Sequence, residues 1–339
     1  MTLTRRTTLA GLAALAGCAH LSPAPATLPD ALAESVGNGL DGLIVYVDRK
    51  GSAPQSCAAG WKDRASQMPS DPQALFKIAS ISKLYIAAAA AKLVAGRRLS
   101  LDGTLADDLP DLAQGIANAD RITLKQLLQH RSGLFNITDA PQFPWFAPLP
   151  DPAGYLALAR GRPALFEPGT RHHYSNTNYL LIGALLDRKL GHSHQRYIEQ
   201  ALLAPLGLTH TYARVTLADA ANLVSGHHPA HAGDLKTVDY PVPGGSMVAT
   251  AQDVGVFLRA LRDGVLLTAD EQAIYSSVSV YEHTGLLPGY LSIARHHRDL
   301  DAVVVLFANT SAASAWGQIE AAHSRVVRVL SAQRPPARS

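Results

Sequence analysis

The chain has 339 residues, is 47% hydrophobic and carries a formal charge of +3, enough apolar material for one large or two intimate domains with a substantial core. Its Arg and Lys are scattered and form no basic block, so the charge gives no reason to expect a nucleic-acid partner. The two cysteines, Cys18 and Cys57, exclude a disulfide framework.

At the N-terminus, Thr4-Arg5-Arg6-Thr7-Thr8-Leu9 precedes a short apolar run that ends in Leu15-Ala16-Gly17-Cys18. Residues 1–18 read as an export signal whose apolar core is too short to span a bilayer. On the residues alone, a plain secretory peptide with an incidental cysteine is the other reading. The paired arginines resemble a twin-arginine signal, and Leu-Ala-Gly-Cys resembles the bacterial lipobox. That resemblance implies cleavage before Cys18, lipidation of its thiol and a protein held on the periplasmic side of a bacterial membrane. Residues 19–30, rich in Pro and Ala, read as a flexible tether. With Cys18 given to lipid, Cys57 has no partner and is expected as a buried apolar side chain.

Residues 29–36 fit a short helix, and Leu43-Ile44-Val45-Tyr46-Val47 is a buried strand by its β-branched run. A turn over Asp48-Arg49-Lys50-Gly51-Ser52 leads to a second strand at 55–61, which makes a hairpin. Residues 76–95 predict a helix that stops at Gly96 in a left-handed cap. Residues 122–130 predict another, N-capped by Thr123 and ended by Ser132-Gly133. The aromatic, proline-rich stretch 135–152 reads as a surface loop, with Phe143, Trp145 and Phe146 as candidates to line a pocket. Helices follow at 179–190, ending at Gly191, and at 195–203, ending before Pro205. A helix at 251–262 precedes strands at 275–281, 290–295 and 302–307, and residues 319–330 close the chain as an amphipathic helix. The pattern is α/β of the α+β kind: an antiparallel sheet built from both chain ends and flanked by helices, with a mostly helical domain inserted. The expected boundaries are 31–75 with 240–333 for the sheet domain and 76–239 for the helical one. A cleft is expected at their seam.

Ser80 and Lys83 stand three residues apart, so on a helix their side chains share a face. A serine hydroxyl is a weak nucleophile, and an adjacent amine can activate it. Tyr174 and Asn176 lie two residues apart, where a phenolate held by cations can serve as a base and an amide can fix a carbonyl. His283-Thr284-Gly285 comes directly after an expected strand, and on an edge strand such a triplet offers backbone N–H groups to an oxyanion and a His or Thr side chain to an anionic group. The histidines at 227, 228 and 231 flank Pro229, which spoils helical spacing for a metal pair, and no metal is assigned to them.

Ser80-Ile81-Ser82-Lys83, Tyr174-Ser175-Asn176 and His283-Thr284-Gly285 resemble, in order, the three motifs of the penicillin-recognising serine hydrolases. The resemblance is to the branch that holds class C β-lactamases, DD-peptidases and β-lactamase-fold esterases. Leu127 through Leu134, Pro205 through Leu208, Gly244 through Thr250 and Leu287 through Tyr290 are similar to the same branch. The resemblance implies the β-lactamase-like fold, a Ser80 nucleophile, and Lys83 and Tyr174 sharing proton transfer. It further implies that Asn176 supports Lys83 and the substrate, and that the N–H groups of Ser80 and Leu286 form an oxyanion hole. Catalysis would pass through an acyl-enzyme on an ester, amide or peptide, with no metal or organic cofactor. Three departures bear on the substrate. His283 stands where a lysine is usual, Glu282 and Leu286 stand where glycine is frequent, and the interval from Gly245 to His283 is short. A histidine lacks a permanent positive charge, which favours an esterase or DD-peptidase-like activity over a β-lactamase. A silent protein that binds cell-wall peptide in the same cleft is the alternative of another class.

Overall fold

The computed structural model describes residues 25–37, 39–312 and 314–333. The export signal and Cys18 lie outside them. Helix α1 (Leu28–Ala33) is opened by Thr27, whose side-chain oxygen accepts from the Asp30 N–H. Strand β1 (Gly42–Arg49) turns through Gly51, at φ 81°, into β2 (Gln55–Asp63), and the two pair from Gly42 opposite Gly60 to Val47 opposite Gln55. Short β3 (Met68–Pro69) and β4 (Phe76–Lys77) lead to α2 (Ser82–Ala95). Phe76 is therefore strand rather than helix. Its ring stacks on Phe307 at 4.5 Å and fixes the entry to α2 against the main sheet.

Helix α2 ends at Gly96, but Gly96 stays at φ −74° and Arg97 takes the left-handed conformation at φ 55°. The Gly96 N–H still bonds Lys92 O in helical fashion, so the reversal falls one residue later. Helix α3 (Leu124–Leu128) has the expected Thr123 cap, completed by Gln126 as a capping box. It stops short of Ser132-Gly133, because His130 goes to φ 54°. Helix α4 (Asn176–Leu190) ends at Gly191, left-handed at φ 74° as expected. Helix α5 (His194–Ile198) runs on as a π-type turn, Glu199–Leu203, and is followed by β5 (Thr211–Tyr212) and β6 (Val248–Ala249).

Helix α6 (Ala251–Arg262) precedes α7 (Ala269–Val278), which corrects the strand expected at 275–281. The alternation there is real, but Thr268 and Glu271 form a capping box that commits the segment to helix. Tyr275 and Val278, three residues apart, then share the buried face. Strands β7 (His283–Leu287), β8 (Tyr290–His297) and β9 (Ala302–Ala308) and helix α8 (Ala315–Ala332) complete the chain.

All pairings in the main sheet are antiparallel, in the order β3-β2-β1-β9-β8-β7, so that the two chain ends meet where β1 pairs with β9. Both faces are covered, which is why Leu43 to Val47 of β1 and the whole of β9 are apolar instead of alternating with polar residues. Leu43, Val45, Val47, Val304 and Leu306 face α1 and α8, where Ile319 and Val326 meet them. Ile44, Tyr46, Val303, Val305 and Phe307 face the larger core with Val254, Phe257 and Leu258 of α6. Gly255 lets α6 lie on the Tyr46 ring, since a Cβ there would collide with it. Arg259 clamps the same helix to the sheet by donating to Asp48 and Asp301.

Helix α2 is buried on every side, and Ala87 through Ala91 leave room for neighbours to approach closely. Tyr85 stacks on Phe257 at 3.7 Å, and Lys92 on α2 pairs with Glu271 of α7 at 2.9 Å. A small second sheet, β4-β6-β5, holds the chain immediately ahead of Ser80. Cys57 is half-buried against the α1 and α8 side, less enclosed than expected, and burial pushes its thiol pKa up.

Candidate active site

Ser80 occupies a single 3-10 turn, Ala79–Ile81, between β4 and α2. Ala79 ahead of it is held at φ 51°, an uncommon conformation for a residue with a side chain. Its neighbours impose it. Ile78 N–H bonds Met247 O, Ser292 Oγ donates to Ile78 O at 3.0 Å, and Ser82 Oγ donates to Ala79 O at 2.6 Å. The turn therefore presents Ser80 at the positive end of α2, a favourable place for developing negative charge.

Lys83, 1% exposed, lies beneath the serine. Its Nζ donates to Ser80 Oγ at 3.0 Å, Asn176 Oδ1 at 2.9 Å and the Gly244 carbonyl at 2.9 Å. These three acceptors match the three donors of an ammonium. Tyr174 Oη approaches Ser80 Oγ at 3.0 Å from the other side. Asn176 is itself fixed, because its N–H and side-chain amide donate to Asn136 Oδ1 at 2.9 and 3.3 Å. His130 stacks on the Tyr174 ring, centroids 4.4 Å apart, while its Nδ1 accepts from Ser175 N–H at 3.1 Å. Burial, aided by the Lys83 charge, lowers the His130 pKa to about 3, so the ring backing Tyr174 is neutral.

Strand β7 forms the facing wall and the edge of the main sheet. His283, Thr284 and Gly285 stand on an edge strand, as expected, but the element ahead of them is helix α7 and not a strand. Gly285 is required by proximity: a Cβ would collide with Ile78 O and Ser292 Oγ, pushing β7 off the Ser80 turn. Leu287 pairs with Tyr290 across a two-residue loop, so alternation along the ladder turns the Leu286 N–H away from β8. His283 Nδ1 lies 2.5 Å from the Thr284 carbonyl and must carry its proton to bond there. Burial, then the Lys83 charge, lowers the His283 pKa to about 4, against the opposing pull of that carbonyl. At neutral pH this residue supplies no positive charge. Glu282 is exposed and does not line the cavity.

Ser80, Tyr174, Asn176 and His283 through Leu286 line one cavity of about 420 Å³, with Lys83 below its floor. The cavity also has an apolar lining: Phe143, Trp145, Tyr240 and Val242, which pack on the larger core, and Trp316, which packs on the α8 side of the sheet. Phe146, also a candidate from sequence, instead packs against His228 and His231. Sequence reasoning missed Asn136, Tyr240 and Trp316, and it gave His130 and Gly244 no individual role. The last two lie in stretches already marked as family-like; the first three carry no local signal.

The family model described as Beta-lactamase matches residues 30–278. Among curated proteins, the chain is 26% identical over 232 residues to a putative D-alanyl-D-alanine carboxypeptidase of Escherichia coli (strain K12), covering 65% of this chain and 49% of that protein. It is 31% identical over 191 residues to a beta-lactamase of Pseudomonas fluorescens, covering 56% of this chain and 50% of that protein. The chain thus spans about half the length of these two relatives. Among solved structures, D-amino acid amidase from Ochrobactrum anthropi SV3 superposes with a TM-score of 0.80 at 22% identity, covering 91% of this chain and 98% of that one. EstCE1, a hydrolase with promiscuous acyltransferase activity, superposes at 0.71 and 22% identity, covering 88% and 97%. With the family match covering most of its length and the β-lactamase-like fold shared with these structures, the chain belongs to the beta-lactamase family.

Proposed function

We propose that the protein is a serine hydrolase that forms an acyl-enzyme on Ser80 and acts on uncharged esters or amides. The observation that carries this is the position of Ser80 Oγ, 3.0 Å from both Lys83 Nζ and Tyr174 Oη. The Ser80 proton passes to Tyr174 Oη, acting as a phenolate held by the Lys83 ammonium, as Oγ attacks the substrate carbonyl. The resulting oxyanion accepts from the backbone N–H groups of Ser80 and Leu286. As the carbonyl re-forms, the bond to the leaving group breaks and the leaving group takes that proton. Water then attacks the acyl-enzyme through the same pair and releases the acid and free Ser80.

The substrate class follows from charge. Among the described residues no Lys or Arg lines the cavity, and His283 is neutral, so a substrate carboxylate has no cation to meet. The aromatic wall suits an apolar acyl group. The test compares a nitrophenyl phenylacetate, a chromogenic cephalosporin and a D-Ala-D-Ala peptide. The neutral ester is expected to lead in kcat/KM by on the order of a hundredfold, the scale of a missing charged contact. Equal or faster cephalosporin turnover would overturn the preference and favour a β-lactamase.

Export and lipidation at Cys18 belong to the same proposal. They are supported by Arg5-Arg6 and the short apolar run that ends in Leu15-Ala16-Gly17-Cys18. Cys18→Ser is expected to shift the protein from the membrane to the soluble fraction; an unchanged distribution would contradict the anchor.

A further inference from the structure

Lys77, on β4 three residues before Ser80, is 3% exposed and makes no ion pair among the described residues. A lysine so enclosed without a carboxylate in contact is costly to keep charged. Its Nζ donates to the carbonyls of Leu235 and Val238, both at 2.5 Å. Two carbonyls match the two N–H donors of a neutral amine. A third donor, present only on the ammonium, meets the faces of Tyr240 and Tyr290, whose centroids lie 5.8 and 5.0 Å from Nζ.

The segment it holds runs directly into the cavity wall. Tyr240 lines the cavity and donates through Oη to the Trp145 carbonyl at 2.5 Å, tying in the aromatic loop. The wall continues through Val242 to Gly245, and within it the Gly244 carbonyl supplies the third acceptor of Lys83. No group of the mechanism above touches Lys77.

We propose that Lys77 is a positioning residue, a buried latch that holds residues 235–245 against the active-site cavity and loosens its hold as the medium falls from alkaline toward neutral pH. Burial lowers its pKa from the ordinary lysine range to about 7, with Asp239 and Asp234 opposing. Any opened form in which the amine meets water regains the ordinary value, about 10.4. Between these two values opening takes up a proton. The closed wall is therefore favoured above about pH 7, and opening becomes easier as pH falls toward it. Other titratable groups nearby are Asp234, which accepts from Ser225 and Gly226, Asp239, which pairs with Arg214, and His227, His228 and His231 of the adjoining stretch. Tyr240 and Tyr290 are pushed far above their ordinary pKa by burial and stay neutral in this range.

Amide hydrogen exchange followed by mass spectrometry tests this on the full chain. After correction for the intrinsic pH dependence, protection of residues 235–245 is expected to be on the order of tenfold lower at pH 6.5 than at pH 8.5, with β9 unchanged. In Lys77→Met the difference should vanish, whereas a response carried by the aspartates or histidines would survive. Equal protection of the wild-type segment at both pH values, or a pH response retained in the variant, would overturn the latch. Should Lys77→Met fail to fold, Lys77→Gln, which keeps N–H donors for the two carbonyls and does not titrate, takes its place and is expected to abolish the difference in the same way. The kinetic consequence, a KM for nitrophenyl phenylacetate that rises severalfold at the lower pH while that for the acetate ester does not, rests on the serine hydrolase reading. A wild-type protein that turns over neither ester would remove that reading and leave the exchange result to decide on Lys77.

Discussion

Ser80→Ala is expected to lower kcat/KM for a neutral ester by roughly ten-thousandfold or more, the loss seen when the nucleophile of a serine hydrolase is removed and only binding and the oxyanion hole remain. The substitution deletes one oxygen from a half-buried side chain and leaves the turn intact, because Ile78, Ala79 and Ser82 hold it through backbone and hydroxyl bonds of their own. Lys83 keeps Asn176 and Gly244 as acceptors. Stability should therefore change little, and the thermal midpoint separates loss of chemistry from loss of fold. Hydrolysis retained at the wild-type rate would mean that another group carries the reaction.

Lys83→Met should be nearly as damaging to turnover and, unlike Ser80→Ala, should also weaken the fold. A positioned proton-transfer partner is worth about a hundred- to ten-thousandfold in rate, and a fall in kcat of about a thousandfold is expected. The stability effect has a separate origin. Ser80 Oγ, Asn176 Oδ1 and Gly244 O all lose their shared donor in an enclosed place, and a buried polar group left unpaired costs about 1–3 kcal/mol. Rates measured well below the lowered thermal midpoint distinguish the two effects. If the folded variant kept the wild-type kcat, Lys83 would be a packing residue and Tyr174 would have to act alone. Tyr174→Phe is the natural comparison, since it removes only the Oη that approaches Ser80 Oγ at 3.0 Å.

Much of the fold was legible because its strongest signals are local. The apolar runs of β1 and β9 needed no context, and α6 occupies the range read from its periodicity. The strand misread at 275–281 shows how two periods compete. Tyr275, Ser277, Ser279 and Tyr281 alternate with their neighbours, yet Tyr275 and Val278 also satisfy helical spacing, and the Thr268 and Glu271 capping box upstream was the deciding evidence. Arg97 reverses the chain in place of Gly96 because the last helical bond still reaches Gly96, a matter of hydrogen-bond closure that composition does not reveal.

In the site, Ser80 and Lys83 are joined by helical spacing and Tyr174 and Asn176 by proximity in sequence, so each pair could be read before the fold was known. That the pairs face one another depended on the family resemblance, since no local rule links residues 93 apart. Asn136, Tyr240 and Trp316 enter through loops and a helix end packed from elsewhere. Each looks ordinary in sequence and acquires a role only through its neighbours: Asn136 under Asn176, Tyr240 between Lys77 and Trp145.

The most direct measurement is the intact mass of the wild-type protein after exposure to a fluorophosphonate, followed by peptide mapping of the adduct. A nucleophile activated by Lys83 and Tyr174 should take up one phosphonyl group, located on Ser80 and absent from Ser80→Ala. An unmodified protein that still hydrolyses the ester, or an adduct that persists in Ser80→Ala, would contradict the assignment of Ser80 as the nucleophile.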